Sequence, residues 1–359
     1  MNKEKVIIYP VDSEYLPFLK YSNLFEDTEI TGCYAPKGWF YVNKKIQVSN
    51  DRVITIQDIN ECKDISTFDA LWVVNSNGDI DFETTILPII QQAAKENKAI
   101  RITRSLTNEE YKMCSEVCEQ YGSLLSNEEK TYISSDSTPR ILNINTPVVF
   151  VFGIFEHTDK LDTLLYLHGG AKKAGYRVKT ILSRKNETDI RDFISFPDFM
   201  YDRRYSDTEK ILYFNHFLRR MELDHKPDII LIGLPGEIMP LDDKHNGNFG
   251  VIPYLVSNAV HCDYAVLKLF HNFYDSVFAE KLQEICRNKF EIDINAFAVS
   301  NNMIDAASIS TSTLKFYTSD KKPVALDENY YFNHINGVGE SLCDHLILTL
   351  QNLGKYRMV

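Results

Sequence analysis

One segment constrains the fold of this chain more than any other: residues 147–182, PVVFVFGIFEHTDKLDTLLYLHGGAKKAGYRVKTIL. An apolar strand, Val148–Phe152, runs into a turn that begins at Gly153, and a helix is predicted from Lys160. Gly175 then leads into a second strand. In such a unit the backbone N–H groups of the turn and of the helix N-terminus can cradle a phosphate group. The segment therefore predicts an α/β domain.

The turn departs from the phosphate-binding-loop pattern, which ends in Gly-Lys-Ser/Thr. This chain has Asp159-Lys160-Leu161 there, so the lysine is kept while the glycine and the magnesium-binding hydroxyl are lost. A carboxylate in place of the glycine would repel phosphate. Two interpretations stay open: a ligand site that uses Lys160, or a plain turn in which Thr158 or Asp159 caps the helix and Lys160 is exposed at the surface.

A second loop would meet this turn at the carboxyl ends of the strands, where ligands of open α/β sheets bind. It follows the apolar strand Ile229–Ile232 and spans residues 233–250, GLPGEIMPLDDKHNGNFG. In phosphate-loop enzymes of the dethiobiotin-synthetase and MinD type an Asp closes this strand, and Gly233 takes its place here. Because two magnesium-related groups are missing, a nucleotide is an open cofactor hypothesis but Mg-dependent hydrolysis is not expected. The candidate ligand-binding residues are Gly153, Glu156, His157, Thr158, Lys160, Gly236, Glu237, Asp242, His245 and Asn248.

The whole chain alternates strands and helices, so the predicted fold class is α/β with two open, mainly parallel sheets. Residues 1–129 are interpreted as a Rossmann- or flavodoxin-like domain, and the polar segment 130–146 as a linker. Residues 147–310 form a degenerate P-loop-like domain, and 311–359 a hairpin, over 314–326, with a closing helix. The strands predicted in the first domain are Val6–Val11, Thr28–Ala35, Val53–Gln57, Ala70–Asn75 and Ala99–Arg104.

Helix starts are predicted from side chains that can cap them. Thr107-x-x-Glu110 has the spacing of a capping box, and Asp81 could cap a helix that Pro88 kinks or delays. Ser206 or Asp207 should begin a helix that runs through Glu222. These helices would cover the faces of the two sheets.

Composition excludes several classes of protein. The net charge of −11 argues against nucleic acid as a general partner, and no apolar run approaches the roughly 20 residues of a membrane span. The first residues lead directly into a strand, so a cytoplasmic location is expected. Seven scattered cysteines suit reduced thiols, and Cys114 and Cys118 would share one face of a helix as buried structural thiols.

A few features suggest contact with a peptide. The turn Pro36-Lys37-Gly38-Trp39-Phe40 carries an aromatic pair. Trp39 either packs against the other domain or contacts a ligand. Arg203 and Arg204 either form a solvated face or dock an acidic peptide segment. Trp39, Arg203 and Arg204 are therefore the candidate peptide-binding residues.

Several segments together resemble a known family, the clostridial peptide-maturation-system proteins, over about residues 5–325. The resemblance rests on YPVDSEYLPFLKY, APKGW, GIFEHTDKLDTLLYL, FPDFM, EKILYFNHFL, KPDIILIGLPGEIMP and FGVIPYLVSNAVHCDY. Such proteins are encoded beside radical-SAM maturases and small Cys-rich precursor peptides. The resemblance implies a pathway and two partners, the precursor peptide and the maturase, and it implies no catalytic residue.

Three functional hypotheses follow. The first is an accessory protein that binds the precursor peptide or the maturase without hydrolysing a nucleotide. The second is a peptide-modifying enzyme that holds a nucleotide or another phosphorylated ligand at Lys160. The third is a metal-dependent enzyme, although no HExxH or paired CxxC motif supports it and no metal is predicted. The oligomeric state stays open, a homodimer included. The third hypothesis would use His157, His245, His261, Glu156, Glu237 and Asp242.

Overall fold

The computed structural model describes residues 3–13, 15–48, 52–61, 67–76, 78, 80–127, 140–184, 192–272, 274–319, 331–332 and 341–356. The chain divides into two compact units. The first comprises Met1–Lys130 and Asn186–Ser195, and the second comprises Thr131–Lys185 and Phe196–Val359. Each unit contains a mainly parallel sheet with helices, which confirms the predicted α/β class.

The first unit has a sheet with strand order β5-β2-β1-β6-β7-β8, in which the neighbouring strands run parallel. β3 and β4 form a separate antiparallel hairpin. The elements are β1 (Glu4–Tyr9), α1 (Leu16–Lys20), β2 (Thr28–Ala35), β3 (Lys45–Val48), β4 (Arg52–Thr55), β5 (Gln57–Asp58), β6 (Ala70–Val73), α2 (Leu87–Lys95), β7 (Ala99–Ile102), α3 (Asn108–Tyr121) and β8 (Leu125–Asn127).

The starts of two helices in the first unit are fixed by side chains that lie close to them in the sequence. Thr107 and Glu110 form the predicted capping box at the start of α3. The Asp81 carboxylate accepts the backbone N–H of Thr84 at 2.8 Å, as expected of a cap. The residues it caps form a π-helical turn, Phe82–Ile86, before α2 begins with Pro88 in its first turn. The Leu87 N–H donates to the Phe82 carbonyl five residues earlier, so Pro88 lies where the hydrogen-bond pattern changes from π to α.

The cysteines in the described residues are free thiols, and Cys62 lies outside those residues. Cys114 and Cys118 lie one turn apart on α3 and are both buried, as predicted. Burial is the main cause that raises the pKa of the Cys114 thiol to about 12. At neutral pH this thiol therefore stays protonated and packs as an apolar group.

The strands of the second unit follow the order β10-β12-β9-β13-β14-β17, and each neighbouring pair is parallel. β15 and β16 form a small antiparallel ribbon. β11 lies in the segment that groups with the first unit. In chain order the elements are β9 (Val148–Gly153), α4 (Lys160–Lys173), β10 (Val178–Ile181), β11 (Phe193–Ile194), α5 (Asp207–His225), β12 (Ile229–Glu237), α6 (Val251–Ala259), β13 (Tyr264–Leu269), α7 (Ser276–Phe290), β14 (Ala296–Val299), β15 (Asn302–Ile304), β16 (Phe316–Thr318), β17 (Tyr331–Phe332) and α8 (Leu342–Tyr356).

The core of the second unit lies on its central strands. Every residue of β9, β12 and β13 is buried, as expected for parallel strands that are covered on both faces. β9 lies between β12 and β13. The turn after β9 therefore lies in the middle of the carboxyl edge of this sheet.

Two predicted connections lie partly outside the described residues. Part of the predicted linker, residues 130–139, lies outside the described residues. Its remainder, residues 140–146, lies alongside α5. The backbone N–H of Leu142 donates to the Asn215 side chain at 2.8 Å, and that of Thr146 donates to the Glu222 carboxylate at 2.7 Å. β16, the first arm of the predicted hairpin, pairs with β15. The predicted hairpin turn and second arm lie mostly outside the described residues.

Candidate functional site

Three strand ends define the candidate site at the carboxyl edge of the second sheet. Gly153 on β9 is in register with Glu237 on β12 and with Lys268 on β13. The side chains of Glu237 and Lys268 are both buried. An acidic and a basic residue therefore flank the glycine where the turn begins.

The turn folds closely over Gly153. A Cβ atom at this position would lie 2.3 Å from the Thr158 hydroxyl and 2.6 Å from the Phe155 carbonyl oxygen. The buried hydroxyl of Thr158 donates a hydrogen bond to the same carbonyl at 3.1 Å. Gly153 is required here because the chain returns across it, leaving no space for a side chain.

Neither predicted side-chain cap is present at the start of α4. Asp159 is the residue before the helix, but its side chain makes no capping hydrogen bond. Its carboxylate instead accepts the Ser300 hydroxyl at 2.5 Å and the Asn302 amide at 2.7 Å. The Asn302 amide also donates to the His157 carbonyl at 2.9 Å. The conformation of the turn is therefore stabilised by hydrogen bonds from Ser300 and Asn302, two residues that follow β14.

The backbone of the turn is strained at two non-glycine residues. His157 has φ +58° and Asp159 has φ +56°, in the left-handed region that L-residues rarely occupy. The His157 ring packs on Phe316 with ring centroids 4.3 Å apart. Together with the Asn302 hydrogen bonds, this contact offsets the strain. Such strained residues commonly cluster at functional sites.

Lys160 is buried, which corrects the prediction of an exposed lysine at a helix start. It is 6 % exposed, and its ammonium lies 2.9 Å from the Glu156 carboxylate and 2.5 Å from the Gly236 carbonyl oxygen. Gly236 reaches this position with φ +81°, a conformation that glycine adopts without strain. The lysine of the degenerate pattern therefore already has an anionic partner from its own turn.

The electrostatics of the pair favour two charged groups. Partial burial opposes ionisation of Glu156, but the Lys160 ammonium and a backbone hydrogen bond from Gly236 outweigh it and lower the pKa of the carboxyl. Burial, then the charges of Glu156 and Asp198, raise the pKa of the Tyr201 hydroxyl. Tyr201 is therefore a neutral neighbour of the pair at physiological pH.

The magnesium-binding Asp of phosphate-loop enzymes has no room at position 233. A Cβ atom on Gly233 would lie 2.9 Å from a methyl group of Leu164 and 2.9 Å from the backbone nitrogen of Ser183. The helix and the neighbouring strand end therefore pack directly on the glycine. Together with Leu161, which has no hydroxyl, this packing leaves a donor set that does not fit a Mg-nucleotide.

The loop between β12 and α6 is held at both ends. The Lys289 ammonium donates to the carbonyl oxygens of Ile238 at 3.0 Å and Phe249 at 2.5 Å. The backbone N–H of Asn248 donates to the buried Glu237 carboxylate. A Cβ atom at Gly247 would lie 2.2 Å from the carboxyl carbon of Glu237. The loop is therefore closely packed on the end of β12.

Within this loop Asp242 and His245 form a pair. His245 Nδ1 lies 2.9 Å from each oxygen of the Asp242 carboxylate. The hydrogen bond from His245, with the backbone N–H groups of His245 and Lys244, lowers the pKa of Asp242 to about 2. The Asp242–His245 pair lies on the segment that follows β12, and the Lys160–Glu156 pair lies on the segment that follows β9. Because β9 and β12 are neighbours in the sheet, both segments start at its carboxyl edge.

The candidate peptide-binding residues lie apart in the sequence and differ in their surroundings. The Trp39 ring lies against Gly78 of its own unit, where an added Cβ would come within 2.4 Å of the ring. Phe40 is 73 % exposed, and the Lys44 ammonium lies 3.0 Å from its ring centroid. Arg204 binds Asp202 through two nitrogens, whereas Arg203 is simply exposed. These residues form surface features of the two units.

Some residues of the site could not be singled out from the sequence. Ser300 and Asn302 follow β14 in an ordinary polar segment, and only the fold brings them to Asp159. Lys268 was detectable, because a lysine interrupts the apolar strand YAVLKL. Among the described residues, no three His, Cys, Asp or Glu side chains form a group that could hold a metal ion. None of the described helices has the length and apolar character needed to cross a bilayer.

The fold and the site together define an α/β protein of two parallel-sheet units, the second of them P-loop-like. A DUF1611 family protein from Anabaena variabilis has a similar crystal structure, with a TM-score of 0.55 and 11 % sequence identity. The similarity covers 83 % of this chain and 88 % of that one. At this identity the likeness concerns the fold alone. No family profile matches the chain, and no curated protein is similar to it in sequence.

Proposed function

We propose that this chain is an accessory protein in the maturation of a ribosomally synthesised, Cys-rich peptide. It binds the precursor peptide or its radical-SAM maturase in the cytoplasm and does not hydrolyse a nucleotide. The pathway and the partners rest on the resemblance of the sequence segments described above. The absence of hydrolysis rests on the site.

One observation supports the non-hydrolytic role most strongly: the Lys160 ammonium is already bound by Glu156 and by the Gly236 carbonyl. A Mg-nucleotide would have to displace a carboxylate whose ionised form this lysine stabilises. It would also meet Leu161 in place of a hydroxyl and Gly233 in place of a carboxylate. The turn is therefore better suited to holding the protein's own structure than to phosphoryl transfer.

Calorimetric titration with the precursor peptide and with the maturase tests the proposal. Full-length protein should bind at least one of them with saturable heat, whether or not ATP and magnesium are present. A variant with Arg203→Ala and Arg204→Ala should bind more weakly if the exposed arginines dock an acidic segment. Arg287→Ala, which removes another exposed arginine, is the matched control. Saturable binding to neither partner would refute the accessory role.

A second function is favoured by the asymmetry of the Lys160–Glu156 pair. The Glu156 side chain is 46 % exposed, whereas that of Lys160 is buried, so an anionic ligand could replace the glutamate from the solvent side. In this function the chain is an enzyme that holds a phosphorylated ligand at Lys160. Thermal shifts with ATP, GTP, ADP and phosphate, with magnesium, test it. A shift that Glu156→Gln enlarges and Lys160→Ala removes would support it, and no shift in any variant would exclude it.

A further inference from the structure

The Asp242–His245 pair fixes the position of the proton on the imidazole. The Asp242 carboxylate accepts the backbone N–H of Lys244 at 2.8 Å and that of His245 at 2.7 Å, in addition to the ring contact at 2.9 Å. An ionised carboxylate can only accept hydrogen bonds. The Nδ1 atom therefore carries the proton, and in the neutral ring the Nε2 atom keeps its lone pair.

The Nε2 atom has no structural use in the described part of the chain. His245 is 8 % exposed, and Nε2 is buried without a hydrogen-bond partner. Buried polar atoms are normally paired, and an unpaired one calls for an explanation. Packing alone would be served equally well by an apolar side chain, which would carry no such unmatched nitrogen.

The pair lies on the loop that leaves the candidate site. The loop begins after Glu237, which is in register with Gly153, and returns to Glu237 through the N–H of Asn248. On its other side the Lys244 ammonium donates to the Ser310 carbonyl at 3.1 Å. The loop is thus fixed at the carboxyl edge of the second sheet, where open α/β sheets bind their ligands.

We propose that Asp242 and His245 form a proton-accepting dyad for an X–H group, a hydroxyl, thiol or amine, of a substrate bound at this edge. In the step the X–H bond breaks, the proton passes to Nε2, and the electron pair stays on X. The ring becomes an imidazolium whose Nδ1–H stays bonded to the Asp242 carboxylate, which compensates the charge. The proposal goes beyond a binding role and does not depend on Lys160.

Diethyl pyrocarbonate tests the dyad in the full-length protein. Its carbonyl carbon is attacked by an accessible, unprotonated ring nitrogen, which keeps an ethoxycarbonyl group while carbon dioxide and ethanol are released. Peptide mass spectrometry gives the rate at each histidine. We expect His245, which is 8 % exposed, to react faster than His168, which is fully buried and whose Nδ1 is bonded to Thr180 at 2.8 Å. The exposed His261 gives the rate of an open imidazole.

Two variants that each remove one negative charge from the loop distinguish the role of the dyad from a general effect of the loop's charge. Asp242→Asn should slow modification of His245 by roughly tenfold or more, because the carboxylate that sets the tautomer is lost. Asp243→Asn should leave the rate unchanged, because Asp243 is exposed beside the pair and makes no described bond to the ring. A His245 rate no higher than that of His168, or equal effects of the two variants, would overturn the proposal.

Nitrogen NMR of the wild-type protein keeps the test independent of whether Asp242→Asn folds. With His245→Gln as the assignment control, the Nε2 resonance of His245 should lie at the position of a non-protonated ring nitrogen, and Nδ1 at that of a protonated one. The opposite tautomer at neutral pH would contradict the proposed role, because Nε2 could then accept no proton.

Discussion

The ammonium of Lys160 lies 2.9 Å from the carboxylate of Glu156, four residues earlier in the same turn. In a phosphate-binding loop the corresponding lysine reaches the phosphates of the ligand. Here the chain supplies its own anion, and the Gly236 carbonyl completes the hydrogen bonding. The lysine of this turn is therefore engaged in an internal ion pair.

The first prediction concerns the stabilising role of Lys160. Lys160→Ala should lower the free energy of unfolding by about 2 kcal/mol, because the Gly236 carbonyl and the Glu156 carboxylate lose their buried donor. We expect no larger change in the free energy of unfolding, because the Glu156 carboxylate is half exposed and water can replace its hydrogen bond to Lys160. Urea denaturation measures the change. Lys173→Ala, at an exposed position on the same helix, should change stability by less than about 0.5 kcal/mol. Equal effects of the two substitutions would mean that the pair does not stabilise the fold.

The second prediction concerns the missing acidic residue at position 233. Gly233→Asp should not restore magnesium binding. It should destabilise the protein by more than about 2 kcal/mol, because even a Cβ atom meets Leu164 and Ser183 at 2.9 Å and the carboxylate would be buried. Gly233→Ala isolates the steric part. Gly236→Ala is the comparison, since nothing lies within 4 Å there and only its φ of +81° opposes a side chain. A stable Gly233→Asp protein that binds magnesium would show that the site can be rebuilt.

The third prediction concerns the residue that holds the strained turn. Asn302→Ala removes the side-chain amide that donates to both Asp159 and the His157 carbonyl. The free energy of local opening of the turn should therefore fall by about 1–3 kcal/mol. Hydrogen exchange of residues 154–162 should become faster, while that of the buried strand β13 stays unchanged. Thr318→Ala removes only a contact on the other side of Asn302 and serves as the control. Unchanged exchange in the turn of Asn302→Ala would assign its conformation to other contacts.

The fourth prediction concerns acid stability and Glu222 on α5. Burial opposes its ionisation, but hydrogen bonds from Thr146, Arg219 and Asn145 outweigh burial and lower its pKa below the ordinary value of 4.5. A lowered pKa means that the carboxylate stabilises the folded state fully above pH 4.5. This stabilisation is lost as the pH falls through the folded-state pKa.

Glu222→Gln should therefore cost about 2 kcal/mol at neutral pH and flatten the loss of stability in acid. Urea midpoints measured across the acid range give both quantities. Asp224→Asn, at an exposed position on the same helix, should leave the acid dependence close to that of the wild type. An acid dependence that Glu222→Gln leaves untouched would assign it to other carboxylates.

The elements that were predicted correctly are those with a clear local sequence pattern. The apolar runs of β9 and β12 identify buried parallel strands, because only strands covered on both faces lack polar alternation. β2 has the predicted bounds, and Thr107 with Glu110 marks the start of α3 through contacts within four residues. β3, β8 and α6 were not predicted, because short or partly polar segments lack a clear periodicity.

The sequence by itself determined the α/β class and the turn at Gly153, and it places Leu161 and Gly233 where phosphate-loop enzymes have a hydroxyl and a carboxylate. Each of these depends on residue type and short-range spacing. Only the tertiary structure decided that Lys160 is buried, since its partners include a carbonyl 76 residues away. The same holds for Asp159, whose predicted capping role is replaced by hydrogen bonds to Ser300 and Asn302. Side chains with several competing partners bind those that the fold brings nearest, and these distant residues cannot be identified from local sequence.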